Sequence, residues 1–238
     1  MSISLELRGI CRTYVKDNET FLAVDNVNLT VSPGEFLTFL GPSGCGKTTT
    51  LRMVAGFEIP SSGQIIVDGS DITQVPANKR DMGFVFQNYA LFPHMTIFEN
   101  VAYGLRIRGL SGDALASKVR EGLAMVGLGN AEQRYPNQLS GGEQQRIVIA
   151  RAVLNSPAII LADEPTGNLD VETGKSIVEL LHNICETGSS VVMTTHNLQL
   201  LKEYPGRVYR CAEHHITDVT DEYMPRQRTI EIDLNIDN

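Results

Sequence analysis

Apolar and polar residues alternate through Ile3, Leu5 and Leu7 and again through Val27, Leu29 and Val31, a period of two that predicts half-buried strands. Ser32-Pro33-Gly34 is a turn, and residues 35–40 then run almost continuously apolar, as a fully buried strand does. A helix is expected from Lys47 to Ala55, stopped by Gly56. Gln64-Ile65-Ile66-Val67 reads as a strand between the turns Ser61-Ser62-Gly63 and Asp68-Gly69. One more apolar run, Met82-Gly83-Phe84-Val85-Phe86, ends at Gln87, and the period then becomes helical. Thr96 and Glu99 are spaced as a capping box opening a helix through about Ile107. Leu115, Val119, Leu123 and Val126 keep helical spacing up to Gly127. Ser140 and Glu143 are spaced as a second capping box, for a helix to Val153. The strand of residues 159–162, a helical stripe of Ile177, Leu180, Leu181 and Ile184, and the strand of residues 191–195 follow. Alternation in residues 229–234 predicts an edge strand in the tail.

The balance of 28 acidic to 20 basic residues gives a net charge of -8 without a long basic run, which argues against nucleic acid as the main partner. Hydrophobic residues at 42% and charged residues at 20% fit a packed globular chain. Neither a membrane-spanning apolar run nor a signal-peptide pattern is visible, which places the chain in the cytoplasm. Cys11, Cys45, Cys185 and Cys211 are scattered and read as free thiols in a reducing compartment.

The chemistry gathers around Gly41-Pro42-Ser43-Gly44-Cys45-Gly46-Lys47-Thr48-Thr49, a G-x-x-x-x-G-K-[ST] loop between a strand and a helix. Glycines let successive amides converge on a phosphate, Lys47 adds charge for the β- and γ-phosphates, and the Thr48 hydroxyl suits Mg²⁺. Asp163 and Glu164 follow an apolar strand, at the edge where open α/β sheets bind ligands. Asp163 suits Mg²⁺ and Glu164 a general base acting on water. Gly141 and Gly142 at a helix mouth leave bare amides, a second anion site facing outward. His196, at the end of the last apolar strand, is placed to donate to a γ-phosphate, although a lone histidine there is more often structural. Tyr14 reads first as a half-buried strand residue. Cys45 reads as a small residue filling a small slot, with oxidation of its thiol as the alternative. His214-His215 reads as surface, and Phe92, Met95, Phe98 and Tyr103 as core or as an apolar patch for a partner.

These motifs in this order resemble the ATP-binding-cassette ATPases over roughly residues 3–215. The resemblance rests on the phosphate loop, Gln87, Leu139-Ser140-Gly141-Gly142-Glu143, residues 159–164, Asn168-Leu169-Asp170 and His196. It implies an α/β phosphate-loop NTPase core with a mixed sheet, an antiparallel β subdomain and an inserted helical subdomain. The expected boundaries are 1–87 and 156–215 for the core, 88–155 for the helical insert and 216–238 for a tail. It implies that Tyr14 stacks on adenine and that Gln87 senses Mg²⁺ and the attacking water. It further implies that Ser140, Gly141, Gly142 and Glu143 bind ATP held by a second copy, that Asp170 links the two sites, and that His196 positions the γ-phosphate. An integral membrane subunit would dock on the helical subdomain at the inner face of the membrane. Residues 76–81 and 87–96 resemble the ATPases of spermidine/putrescine and iron importers. Glu143 and Thr166-Gly167-Asn168-Leu169-Asp170 resemble instead the cell-division and lipoprotein-releasing ATPases, as in a hybrid. The alternative function this implies is a cell-division-type ATPase that regulates a membrane partner without moving solute, whereas the importers often carry a C-terminal regulatory domain for which this length is expected to leave no room.

Overall fold

The computed structural model describes residues 3–17, 19–204 and 206–223. Strands β1 (Leu5–Lys16) and β2 (Glu19–Val31) form a long antiparallel hairpin, longer at its turn end than the alternating segments predict. The apolar alternation ends where the hairpin leaves the core, so Val15 and Phe21 stand exposed near its tip. With β4 (Ser62–Val67) and β5 (Ser70–Asp71), the hairpin makes a four-stranded antiparallel sheet in the order β2-β1-β4-β5. Asp68 and Gly69, with φ of 49° and 75°, make the tight turn between β4 and β5 that the sequence called for.

The second sheet has the order β10-β9-β3-β8-β7-β6. Its strands β3 (Phe36–Leu40), β6 (Gly83–Val85), β7 (Ile159–Ala162), β8 (Ser190–Thr195) and β9 (Arg207–Ala212) are parallel, and β10 (His215–Asp218) pairs antiparallel at one edge. Every residue of β3, β7 and β8 is buried, which is why these segments are uniformly apolar or Thr/Ser and never alternate with charges. Helix α1 (Lys47–Ala55) lies in the core shared by the two sheets, with Leu51 and Met53 packed among Leu5, Ile10, Phe39 and Ile65. Gly56, at φ 82°, closes α1 and donates its N–H to the carbonyls of Arg52 and Met53.

Arg80 completes that helix end. Its buried guanidinium donates to the carbonyls of Met53 (2.8 Å), Val54 (2.7 Å), Thr73 (3.0 Å) and Val75 (2.7 Å). Two of these are the last carbonyls of α1, which have no partner within the helix. Nothing in the local pattern announces this cap, since Arg80 lies 24 residues beyond Gly56.

Helices α2 (Ile97–Ile107), α3 (Gly112–Met125) and α4 (Gly141–Val153) pack around Val101, Leu105, Val119, Leu123 and Ile147 as a separate apolar cluster. Both capping boxes form, Thr96 with Glu99 and Ser140 with Glu143. Helix α5 (Val171–Glu186) and α6 (Leu198–Glu203) cover the other face of the large sheet through Ile177, Leu181, Ile184 and Leu200. Beyond residue 215, where the sequence predicts only a tail, β10 extends the sheet and α7 (Thr220–Tyr223) follows. Val219 packs on Leu40, Leu201 and Val208, and this apolar contact draws the segment into the core. The edge strand expected at 229–234 lies outside the described residues.

Candidate functional site

Strand β3 delivers the chain into residues 41–46, and α1 begins at Lys47. Gly46 has a φ of 103°, and a side chain there would meet the Ala23 carbonyl oxygen 2.6 Å from its Cβ. Only glycine therefore admits the loop this close beneath β2. The Lys47 ammonium is buried and donates to the carbonyls of Gly41 (2.6 Å) and Pro42 (2.8 Å), so a phosphate entering the loop finds a cation already held there. The N-terminus of α1 adds its free amides and dipole.

Across the cleft, the two carboxylates at the end of β7 divide their contacts. Buried Asp163 accepts from the hydroxyls of Thr48 (2.8 Å) and Thr194 (2.9 Å) through the same Oδ1. A buried carboxylate served by hydroxyls, next to the phosphate-loop Thr48, is an all-oxygen donor set that suits a hard cation such as Mg²⁺. Glu164 turns the other way. Its Oε1 lies 3.7 Å from the Lys47 ammonium, and its Oε2 lies 3.4 Å from His196 Nδ1 and 3.5 Å from Gln87 Nε2. Glu164 holds a φ of 43°, a sparsely populated conformation for a residue with a side chain. Its N–H donates to Thr194 Oγ1 at 2.8 Å, which fixes it there. Glu164, His196, Lys47 and Gln87, predicted from separate segments, thus converge. Thr194 bonds the Asp163 carboxylate and the Glu164 backbone N–H and escaped the sequence reading; its signal was a Thr-Thr pair ending an otherwise apolar strand.

A cavity of 260 Å³ beside the loop is lined by Tyr14, Phe21, Ala23, Gly44, Lys47 and Glu164, among others. The β1–β2 register places Tyr14 directly opposite Phe21, and this pairing brings both rings to the loop. Tyr14 bonds through its hydroxyl to Glu58, and the Arg12 guanidinium lies 4.6 Å from its ring centre. Phe21 was not foreseen. Half exposed, it packs edge-on against His214 at 5.4 Å between ring centres. His214, expected at the surface, is half-buried there, while His215 lies exposed 3.7 Å from Asp25. Two larger cavities, of 890 and 740 Å³, lie away from the loop against α5 and are lined by neither Lys47 nor Glu164.

None of Ser140, Gly141, Gly142 and Glu143 lines the cavity at the loop. They sit at the mouth of α4, where the Ser140 hydroxyl donates to Glu143 Oε2 at 2.8 Å. These Ser140 hydrogen bonds hold the Glu143 carboxyl below its ordinary range, aided by Arg134 at 3.7 Å. The paired glycines have a packing reason besides their amides. A Cβ on Gly142 would lie 2.5 Å from Thr173 Cγ2, and one on Gly141 2.7 Å from the Tyr89 hydroxyl. Asp170 caps α5, accepting from the Thr173 amide (3.0 Å) and hydroxyl (2.6 Å), and these bonds lower its pKa. Asp170→Ala is therefore expected to lower stability measurably, while Asp170→Asn, itself a good cap, keeps most of it. Because the folded pKa is depressed, the difference is present above the ordinary aspartate value of about 4 and shrinks as pH falls below it. Denaturant titrations at neutral and acidic pH measure both effects.

Residues 24–167 match the family model described as ABC transporter. The chain belongs to that family. This cassette is 50% identical over 194 residues to the spermidine/putrescine import ATP-binding protein PotA of Mannheimia succiniciproducens, covering 81% of this chain and 51% of that protein. It is 46% identical over 195 residues to the Fe(3+) ions import ATP-binding protein FbpC 1 of Rhizobium meliloti, covering 82% and 54%. The ABC chain thus spans about half the length of the curated relatives it matches. Among solved structures, the dimeric post-hydrolysis state of the ATP-binding cassette MJ0796, bound to ADP and Pi, superposes with a TM-score of 0.81 at 36% identity. It covers 89% of this chain and 96% of that one. The α/β cassette fold with one mixed and one antiparallel sheet, expected from the resemblance, is the fold observed.

Proposed function

We propose that this cassette hydrolyses MgATP as the energising subunit of a solute importer, in a head-to-tail pair with a second copy of itself or a homologous cassette. The convergence of Lys47, Asp163 and Glu164 on one face of the phosphate loop carries the hydrolytic reading. Tyr14, with Phe21 beside it, offers an aromatic face to adenine, and the loop amides with Lys47 hold the phosphates. Thr48 and Asp163, with Gln87 at the cleft edge, would hold Mg²⁺, which when bound neutralises phosphate charge. Glu164 accepts the proton of the attacking water, and His196 orients the γ-phosphate end of the cleft. A cavity of 260 Å³ is smaller than the roughly 300–1,000 Å³ of pockets that enclose a ligand, in keeping with half a site. The other half is supplied by Ser140, Gly141 and Gly142 of the second copy, with Asp170 nearby linking the two sites.

Solute import is favoured over the cell-division reading because the relatives above are import ATPases of polyamine and Fe(3+) type. The membrane partner docks on the unit formed by α2, α3 and α4, and the cassette works at the inner face of the membrane. No helix among the described residues is long and apolar enough to cross a bilayer.

Mixing variants tests the pairing. Lys47→Ala and Ser140→Arg chains are each expected to be inactive alone. A mixed pair contains one site with intact Lys47 and Ser140 if those residues belong to different chains, and none if they act within one chain. ATPase activity regained on mixing supports the head-to-tail site, and activity that stays at background overturns it.

A further inference from the structure

Two of the four cysteines, distant in sequence, meet beneath the phosphate loop. Leu40 pairs with Arg210 across β3 and β9, so the next residue of each strand sets Gly41 beside Cys211. Cys211 belongs to the apolar core around α1, the same cluster that holds Cys45. A Cβ on Gly41 would lie 2.3 Å from the Cys211 carbonyl oxygen and 2.9 Å from Cys45 Sγ, so glycine is what lets the two cysteines close over it. The Cys45 sulfur and the Cys211 carbonyl thus lie against the same Gly41, and each thiol is the leading influence on the other's acidity. The Lys47 ammonium lies 3.9 Å from Cys45 Sγ.

The surroundings make the two sulfurs unequal. The neighbouring Cys211 thiol, with help from Lys47 and the loop amides, brings the Cys45 thiol down to about 6, while Cys45 and burial push Cys211 up. Lys47 and the loop amides favour the thiolate at Cys45 and burial disfavours it at Cys211, the asymmetry that separates an attacking from a resolving cysteine. Cys185 serves as an internal contrast. It is buried against the Gly34 carbonyl at 3.3 Å, and burial raises its pKa.

We propose that Cys45 and Cys211 are a peroxide-reactive pair that closes to a disulfide under the phosphate loop and stops nucleotide binding. The Cys45 thiolate attacks one oxygen of hydrogen peroxide. The O–O bond breaks, the sulfur becomes a sulfenic acid, and hydroxide leaves. Cys211 sulfur then attacks the Cys45 sulfur. The S–S bond forms, the S–O bond breaks, and water leaves with the Cys211 proton. Two thiol sulfurs are oxidised and one peroxide is reduced, and a dithiol reductant reverses the change. The bond ties the loop to β9 and draws Cys45 toward the strand. The amides on either side of Cys45, and Lys47 two residues on, then lose the arrangement that receives phosphate.

Bond formation does not depend on the proposed ATPase function; only its consequence does, and the test separates the two. The whole chain is treated with hydrogen peroxide, blocked with iodoacetamide, digested without reduction and analysed by mass spectrometry, while MgATP binding is followed in parallel. Expected are a linked peptide containing Cys45 and Cys211, lighter than its parts by two hydrogen atoms, and a loss of ATP binding restored by dithiothreitol. Cys211→Ala, or Cys211→Ser if the alanine variant folds poorly, should bind ATP before treatment. After peroxide it should give no linked peptide, and Cys45 should pass to sulfinic acid that dithiothreitol does not restore. Wild-type chain that yields alkylated or sulfinic Cys45 and no link overturns the pair. Linked chain that still binds ATP overturns the effect on binding, and untreated chain that never binds ATP counts against the proposed function instead.

Discussion

Glu164→Gln is expected to reduce ATP turnover by about 10²- to 10⁴-fold, the range for loss of a positioned general base, while ATP affinity changes little. The substitution keeps the shape of a side chain that is only 15% exposed and removes its ability to take a proton. Around it stand Lys47 at 3.7 Å, His196 at 3.4 Å and Gln87 at 3.5 Å. Nucleotide binding rests on the loop amides and Lys47, which holds its own carbonyl partners at 2.6 and 2.8 Å without Glu164. With hydrolysis blocked, MgATP should drive the chain into a persistent dimer. Single-turnover hydrolysis, nucleotide titration and light scattering measure the three quantities. A near-normal hydrolytic rate in the variant would remove Glu164 from the base role.

The second large effect concerns stability. Arg80→Ala is expected to destabilise the chain by about 3–5 kcal/mol, comparable to breaking other buried charged networks. The buried Val54 and Thr73 carbonyls and the half-buried Val75 carbonyl lose this donor at once, and Met53 keeps only the Gly56 N–H. Orphaned buried acceptors each carry a penalty of about 1–3 kcal/mol, tempered where water reaches them. Gly56 adds to the tightness, because a Cβ there would lie 2.5 Å from Arg80 Nε. Arg80→Lys should recover only part of the loss, since an ammonium has three donors and cannot reproduce the planar fork. Urea denaturation provides the comparison. A loss below about 1 kcal/mol for Arg80→Ala would mean that water replaces the guanidinium at these carbonyls.

The structure explains which features were readable. Both capping boxes, the start and stop of α1, the Asp68-Gly69 turn and the parallel strands β3, β6, β7 and β8 appear where the pattern put them, whereas β9 was not read from it. Each is governed by residues within a few positions of one another, so a local pattern suffices. The phosphate loop, Asp163, Glu164 and His196 were readable for a related reason. Each sits at the end of an apolar strand, and parallel strands share one end.

The misses are non-local. Phe21 needed the β1–β2 register, Thr194 the shared contact with Asp163 and Glu164, and Arg80 the carbonyls of a helix far behind it in the chain. His214 seemed a surface residue until the ring of Phe21 was found over it. The glycines of α4 were expected only to bare amides; their closeness to Thr173 and Tyr89 shows that packing also requires them.

By itself, then, the sequence determined most of the elements up to β8 and their order, and pointed to phosphate binding at the glycine loop, because helix caps, turns and the amides of such a loop act over a few residues. Tertiary structure alone decided which aromatic rings face the loop, how Asp163 and Glu164 divide their partners, and that Cys45 lies against Cys211. Those outcomes depend on strand register and on packing between segments as much as 166 residues apart, distances over which no periodicity carries information.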